Sequence, residues 1–573
     1  MNGNLTRRDF LRSAGAASAL VLAPQLAPWS ATTRTALASA RSTAAPDVEI
    51  LLTATKGEAT ILAGRATPVW TYHSKVVKGD AASTRPISGS YLGPIIRVRK
   101  GQRVRLVLEN GLDEATNIHW HGQHVPEDMD GHPRHAAAPG KRFVYEFEIK
   151  DRAGTYFFHP HPHGRTGRQV YFGLAGLFIV SDEEEQAAKL PAGEYDVSLI
   201  LQDRSFDGKN RLVFLSDEHA QRGGMKGGGM MGGGMMGRGM MGGGMMGRGM
   251  MGDTMGRGMM GGGMMDIMTR MMGFLGDRIL VNGRPDATLS VATRPYRFRL
   301  LNASNARIFK LAWSDGSPLS VIGIDGGLLE TPVERSYVTL SPGERREIWA
   351  DFSRYAVGTE LTLRSLEFAG DMAMRGGMMG GMMGGMMGNQ RLPNGAAFPV
   401  LKVRVTRKEK APGTLPKRLS TIVRHRAEDA VNYRNPRVFN ITMGMMQWGI
   451  NGRSFEMEGV ADNEIVKLGT LEIWEFANDA SQGMMGMMAH PMHIHGLQFQ
   501  ILERSVDRAL AAARDSVSAG YVDEGWKDEV FLMPGERAKV LVAFKDFTGL
   551  FPYHCHMLEH GDTGLMRNYQ VRA

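Results

Sequence analysis

Apolar and polar residues alternate along many short stretches of this chain. Ile96-Arg97-Val98-Arg99 and Arg103-Val104-Arg105-Leu106 show period two on either side of a Lys100-Gly101 turn, the pattern of half-buried strands. Similar short stretches, punctuated by Gly, Pro, Asn and Asp, recur along the chain. Helical periodicity is sparse, and Val506 to Ser518 is its best candidate. The pattern predicts an all-β protein.

A weak repeat organises these strands. Pro139-Gly140-Lys141-Arg142, Pro342-Gly343-Glu344-Arg345 and Pro534-Gly535-Glu536-Arg537 each precede an apolar, strand-like run. Three such turns, spaced by about a domain length, predict three copies of one β-sandwich unit. Counting on from each Pro places chemistry in register. Twenty residues after Pro139 and after Pro534 come His159 and His554, whereas the same offset from Pro342 reaches Thr362. The outer units carry histidines at equivalent places and the middle unit carries none, so metal is expected between the first and third units.

Four His-x-His pairs occur: His119/His121, His159/His161, His493/His495 and His554/His556. His490 precedes the third pair and His560 follows the fourth. The chain has one cysteine, Cys555, set between His554 and His556. It cannot form an intrachain disulfide. In a strand its side chain points away from the face shared by its two histidine neighbours. A thiolate bound to one metal would then be linked through backbone to imidazoles bound to another. Two imidazoles and a thiolate suit an electron-transfer copper, and His490, Cys555 and His560 fit that set. The other eight histidines suit a multicopper cluster, since zinc sites rarely need eight histidines and no carboxylate.

HWHG at 119–122, HPHPHGRTGRQV at 159–170, HPMHIHG at 490–496 and HCHMLEH at 554–560 resemble the four copper motifs of multicopper oxidases. The likeness covers nearly the whole chain past its first 45 residues. GWKD at 525–528 and the HxDTGxM pattern at 560–566 are similar to the CueO group of bacterial cuprous oxidases and copper-tolerance laccases. The resemblance implies cupredoxin-like Greek-key β-sandwich domains at 46–185, 190–406 and 431–573, with a linker at 407–430. It implies four copper ions: type 1 on His490, Cys555 and His560; type 2 on His119 and His493; and a type 3 pair on His121, His159, His161, His495, His554 and His556. Electrons would pass from type 1 through Cys555 to a cluster that reduces dioxygen to water. Asp130 falls where the family has an acidic proton relay. His124, His132, His135 and His163 would be bystanders or supports.

Two positions depart from the family. Leu565 stands where the axial methionine is expected, with Met566 one residue later, which implies a three-coordinate type 1 site of raised potential. Gly561 replaces a glutamate implicated in proton delivery, and the neighbouring Glu559 is expected to point elsewhere.

Composition adds a further feature. Of 41 methionines, 19 lie in 225–272 and 8 in 372–387, both within the middle unit and both rich in glycine. Such tracts cannot pack a core and are expected to be disordered insertions. A merely tolerated spacer is the plain alternative, but a neutral spacer would use Ser, Asn or Lys, whereas thioethers favour Cu(I). Extra Cu(I) is therefore expected at the tracts. Met443 and Met488 match family positions for substrate copper, and Met485 and Met487 lie beside them without the family's acidic partners. An all-sulfur Cu(I) site follows, weaker for Fe(II) or Mn(II).

The net charge is +9, but no dense basic run with interleaved aromatics argues for nucleic acid. Arg7-Arg8 before a short Ala-rich apolar stretch resembles a twin-arginine signal over 1–40. That predicts export by the twin-arginine translocase to the periplasm or another extracytoplasmic space, with no membrane anchor. The expected protein is a monomeric oxidase of Cu(I), with phenols or aromatic amines as second substrates and dioxygen as acceptor, serving copper tolerance. A general phenol laccase or other metallo-oxidase, and a copper-sequestering protein without activity, are the alternatives.

Overall fold

The computed structural model describes residues 45–215, 266–267, 269–369, 392–410, 413–444, 447–479 and 488–573. The leader over 1–40, most of the first methionine tract, all of the second, and Met485 and Met487 lie outside the described residues.

The alternating stretches form strands, and the strands form six sheets that face one another in three pairs. In the first pair, Val48–Ala59, Thr67–Lys78, Arg103–Asn110 and Arg142–Glu148 form one sheet. The other holds Ile95–Arg99, Gly176–Ser181, Gly154–His159 and His119–His121. Ile50, Leu52, Leu106 and Tyr145 from one face meet Val98, Trp120, Phe158 and Phe178 from the other in one buried cluster. The middle and third pairs are built alike around their own clusters. The chain is an all-β protein of three cupredoxin-like sandwiches.

The Lys100-Gly101 turn joins strands in opposite sheets. Ile95–Arg99 runs parallel to Gly176–Ser181, while Arg103–Asn110 runs parallel to Val48–Ala59. The three Pro-Gly turns all open strands, at Arg142, Arg345 and Glu536. Their glycines have φ of +71°, +86° and +74°, a left-handed conformation that disfavours other residues. The expected helix is shorter than its sequence pattern. Val506 ends a strand paired with Glu536–Phe544, Asp507 accepts from Ala509 N, and the α-helix runs only over Ala511–Ser518.

Strand alternation separates the two kinds of ligand. In Trp120-centred His119–His121, the indole points into its own core, wholly buried among Tyr145, Phe147, Phe158 and Phe178. His119 and His121 therefore point out of that sandwich. In His490–Ile494, Met492 pairs with Cys555 and His493 with His554. Cross-strand partners share a face, so His490, Met492 and Cys555 look one way and His493 and His554 the other.

Candidate metal centre

Two clusters lie on either side of the strand Gly549–Cys555. In the first, Cys555 Sγ stands 3.5 Å from His490 Nδ1 and 3.7 Å from His560 Nδ1, with 3.3 Å between the two nitrogens. All three residues are fully buried. The point equidistant from these atoms lies about 2 Å from each, the length of a metal–nitrogen bond. Burial keeps the imidazoles neutral, with His490 well below its ordinary range and His560 down to about 3. Burial also pushes the Cys555 thiol well above its usual value. A thiolate here needs a cation to compensate it, and the donor set fits copper. Leu565 is fully buried in the same cluster as Cys555. Met566 pairs with His554 instead, so its side chain belongs to the opposite face.

The second cluster lies between the first and third sandwiches. His119 Nε2 is 3.2 Å from His493 Nε2. His161 and His495 each bring Nε2 to 3.0 Å from His554 Nε2. His159 and His556 approach at 3.4 Å, Nε2 to Nε2, and the His121 and His556 rings are 4.9 Å apart in edge contact. The eight histidines thus form one continuous cluster, in which His119 also groups with His121 and His159 and with His493 and His495, and His161 groups with His495 and His554. Burial holds His121, His159, His161, His493, His495 and His556 well below the ordinary range, and His554 at about 4.

Hydrogen bonds fix which nitrogen faces inward. His119, His159, His493 and His554 direct Nδ1 to the carbonyls of Asp130, Pro160, Asp528 and Cys555, at 2.7 to 3.0 Å. His495 Nδ1 lies 2.7 Å from Asp130 Oδ2. Each of these rings keeps the Nδ1 proton and offers the Nε2 lone pair, the usual way a metal-binding histidine is oriented. His121 is reversed: its Nε2 meets Asp528 Oδ1 at 3.0 Å, leaving Nδ1 without a protein partner. Asp130 is fully buried and touches two rings: its carboxylate meets His495 and its carbonyl meets His119, while Oδ1 lies 3.4 Å from His119 Nδ1 without a hydrogen bond of its own.

The other nearby histidines serve elsewhere. His124 pairs with Asp151 at 2.6 Å, and His132 Nε2 meets Asn568. Glu559 accepts from Asn305 Nδ2 and from Phe274 N, so it turns away from the cluster as expected.

Sequence reasoning missed three groups beside the cluster. Asp528 is bound by both guanidinium nitrogens of Arg345, a residue of the middle unit's Pro-Gly turn. Glu529 pairs with His493 across the sheet, and its Oε1 lies 3.5 Å from His121 Nε2. Neither of its oxygens has a protein hydrogen-bond partner, and burial raises its pKa well above the usual carboxylate range. The middle unit gives no histidine but does supply Arg345 and Gly343, where a Cβ would sit 2.1 Å from Glu529 Oε1. The recurring Pro-Gly-x-Arg was the one available signal for Arg345.

Family models described as multicopper oxidase match residues 69–185 and 430–573. The crystal structure of McoA, a multicopper oxidase from Aquifex aeolicus, superposes with a TM-score of 0.68 at 30% identity, covering 92% of this chain and 97% of that one. This chain belongs to the multicopper oxidases. Multicopper oxidase mco of Staphylococcus aureus is 29% identical, over 86% of this chain and 85% of its own. The laccase of Bacillus subtilis is 26% identical, over 84% and 89%. The chain is therefore a copper-dependent oxidoreductase. Among the described residues no helix is long and apolar enough to cross a membrane.

Proposed function

We propose that this multicopper oxidase is exported and takes electrons one at a time from Cu(I), with small phenols and aromatic amines as second substrates. In this reading His490, Cys555 and His560 hold type 1 copper, and His119 and His493 hold type 2. His161, His495 and His554, with His121, His159 and His556, hold the type 3 pair. Copper bound in these sets supplies one-electron storage and the four electrons that convert dioxygen to two waters.

The chain's own groups supply the rest. Cys555 joins by backbone to His554 and His556, one on either side, which gives a short covalent path between the two ligand clusters. Asp130, with one oxygen hydrogen-bonded to His495 and the other near His119 but not hydrogen-bonded, suits a proton relay. Burial of all eight histidines excludes bulk water from the oxygen-reducing face.

Cu(I) as substrate is supported by where the methionine segments begin and end. Met271, near the end of the first tract, and Phe368, four residues before the second, are both buried in the core cluster that contains Cys555. Met488 lies in that cluster and Met443 packs on it. Three methionines, Met271, Met443 and Met488, thus belong to or pack on the core that holds Cys555, and each carries a soft thioether. Oxygen consumption with Cu(I), Fe(II) and a bulky phenol tests this. Deleting 225–265 should lower the rate at limiting Cu(I) and spare the phenol. Equal rates before and after deletion would refute the role of the tract.

A further inference from the structure

Trp448 occupies the boundary between the methionine segments and the His490–Cys555–His560 set. It is 1% exposed. Its ring centroid lies 4.8 Å from that of His490, edge-on, and 4.8 Å from that of His560, tilted by 36°. On its other side, the indole N–H donates to the backbone carbonyl of Met271 at 3.2 Å. Across the hairpin it pairs with Met443, so the indole and the Met443 thioether share a face.

The neighbouring contacts fasten the same segment. Phe274 N donates to Glu559 at 3.1 Å, and Glu559 immediately precedes His560. Two bonds therefore tie residues 271–274 to the His560 loop and to the residue that touches both imidazoles. Met443 and Met272 are only partly buried, whereas His490 and His560 are wholly buried. Trp448 touches both imidazoles and shares a face with Met443, so its conjugated ring lies between a partly buried thioether and the buried ligand rings.

We propose that Trp448 is a positioning residue for Cu(I) oxidation: it docks the end of the first methionine tract on the type 1 ligands and bridges the electron's path to them. The step is one electron. Substrate Cu(I) becomes Cu(II), the centre held by His490, Cys555 and His560 gains that electron, and no bond or proton moves. The indole is a conduit and is not itself oxidised. The assignment rests on the proposed function, because only a metal held by the methionines needs this docking.

The test uses copper-loaded wild type, Trp448→Phe and Trp448→Leu. Each is mixed anaerobically with Cu(I) or with a bulky phenol while the thiolate–Cu(II) absorption is followed, and the Cu(II) EPR spectrum of each resting protein is recorded. Phe keeps a ring against the imidazoles but loses the N–H. It should lower the ratio of Cu(I) rate to phenol rate about fivefold, the worth of one neutral hydrogen bond, with the EPR spectrum unchanged. Leu should lower the ratio further; if it does not load copper, the Phe variant alone decides. Wild type that oxidises Cu(I), with an unchanged ratio in Trp448→Phe, overturns the role of Trp448 and leaves the proposed function standing. Wild type that oxidises the phenol but not Cu(I) overturns both. A fallen ratio with an altered EPR spectrum marks Trp448 as packing for the copper ligands and overturns the docking role.

Discussion

Met566 faces His554 across the antiparallel pair of Gly549–Cys555 and Met566–Arg572. Partners in such a pair share a face, and His554 and Cys555 point to opposite faces. Met566 is therefore directed away from the thiolate, whereas Leu565 is buried in the same core cluster as Cys555 and accepts a hydrogen bond from Cys555 N.

A type 1 site without a thioether axial ligand should have a raised potential, because nothing offsets the electron demand of the oxidised ion along that axis. Leu565→Met should lower the potential, and Met566→Leu should leave it nearly unchanged. A redox titration of the thiolate–Cu(II) absorption compares the two. A larger shift in Met566→Leu would show that Met566 reaches the copper.

Asp130 tests the proton side of the reaction. Asp130→Asn keeps the shape and an acceptor oxygen near His495, but cannot carry a proton at neutral pH. Removing such a supporting group is expected to slow dioxygen reduction about 10- to 100-fold. Anaerobic reduction at Cys555 should be little changed, because the histidines that Asp130 contacts belong to the other cluster. Stopped-flow measurement of the two half-reactions separates these effects. Equal slowing of both would point to a general loss of folding or copper.

Much of the two side-chain clusters was legible in the sequence, because their residue types are rare and their spacing is local. His119-Trp120-His121 and His554-Cys555-His556 carry their geometry in a two-residue strand period. The three Pro-Gly turns gave the number of sandwiches through a backbone need for φ above zero. What was not legible depends on distant residues meeting. Arg345 and Asp528 are 183 positions apart, and neither has a local pattern that announces the other. Glu529 follows the GWKD motif, yet only the pairing with His493 shows that it faces the cluster. The helix at 511–518 was overestimated because its apolar period continues into a strand that tertiary pairing claims first.

Gly343 links the middle sandwich to the cluster it does not ligate. Its φ is +86°, and a Cβ would lie 2.1 Å from Glu529 Oε1 and 3.0 Å from His556 Cγ. Gly343→Ala should cost about 1–3 kcal/mol from the backbone conformation alone, and displacement of Glu529 and His556 should lower bound copper. Gly140→Ala, at the equivalent turn with nothing within 4 Å of its Cβ, should carry the backbone penalty without the copper loss. Thermal unfolding with copper counts on both variants distinguishes strain from the close approach.

Acid should destabilise the metal-free protein in a defined window. Burial lowers His554 to about 4 and His560 to about 3, while an unfolded histidine titrates near 6.5. The unfolded chain then binds more protons than the folded one below about pH 6.5. Stability is complete above that pH and falls as pH drops toward 4 and 3, where the folded groups protonate too. Each such histidine removes about 1.4 kcal/mol per pH unit within its window. Several buried imidazoles acting together make the slope steep. Urea unfolding of the copper-free protein at pH 7.5, 6 and 5 should show a midpoint that drops with each step below 6.5. A midpoint independent of pH over that range would mean that the histidine clusters open to water before the rest of the fold.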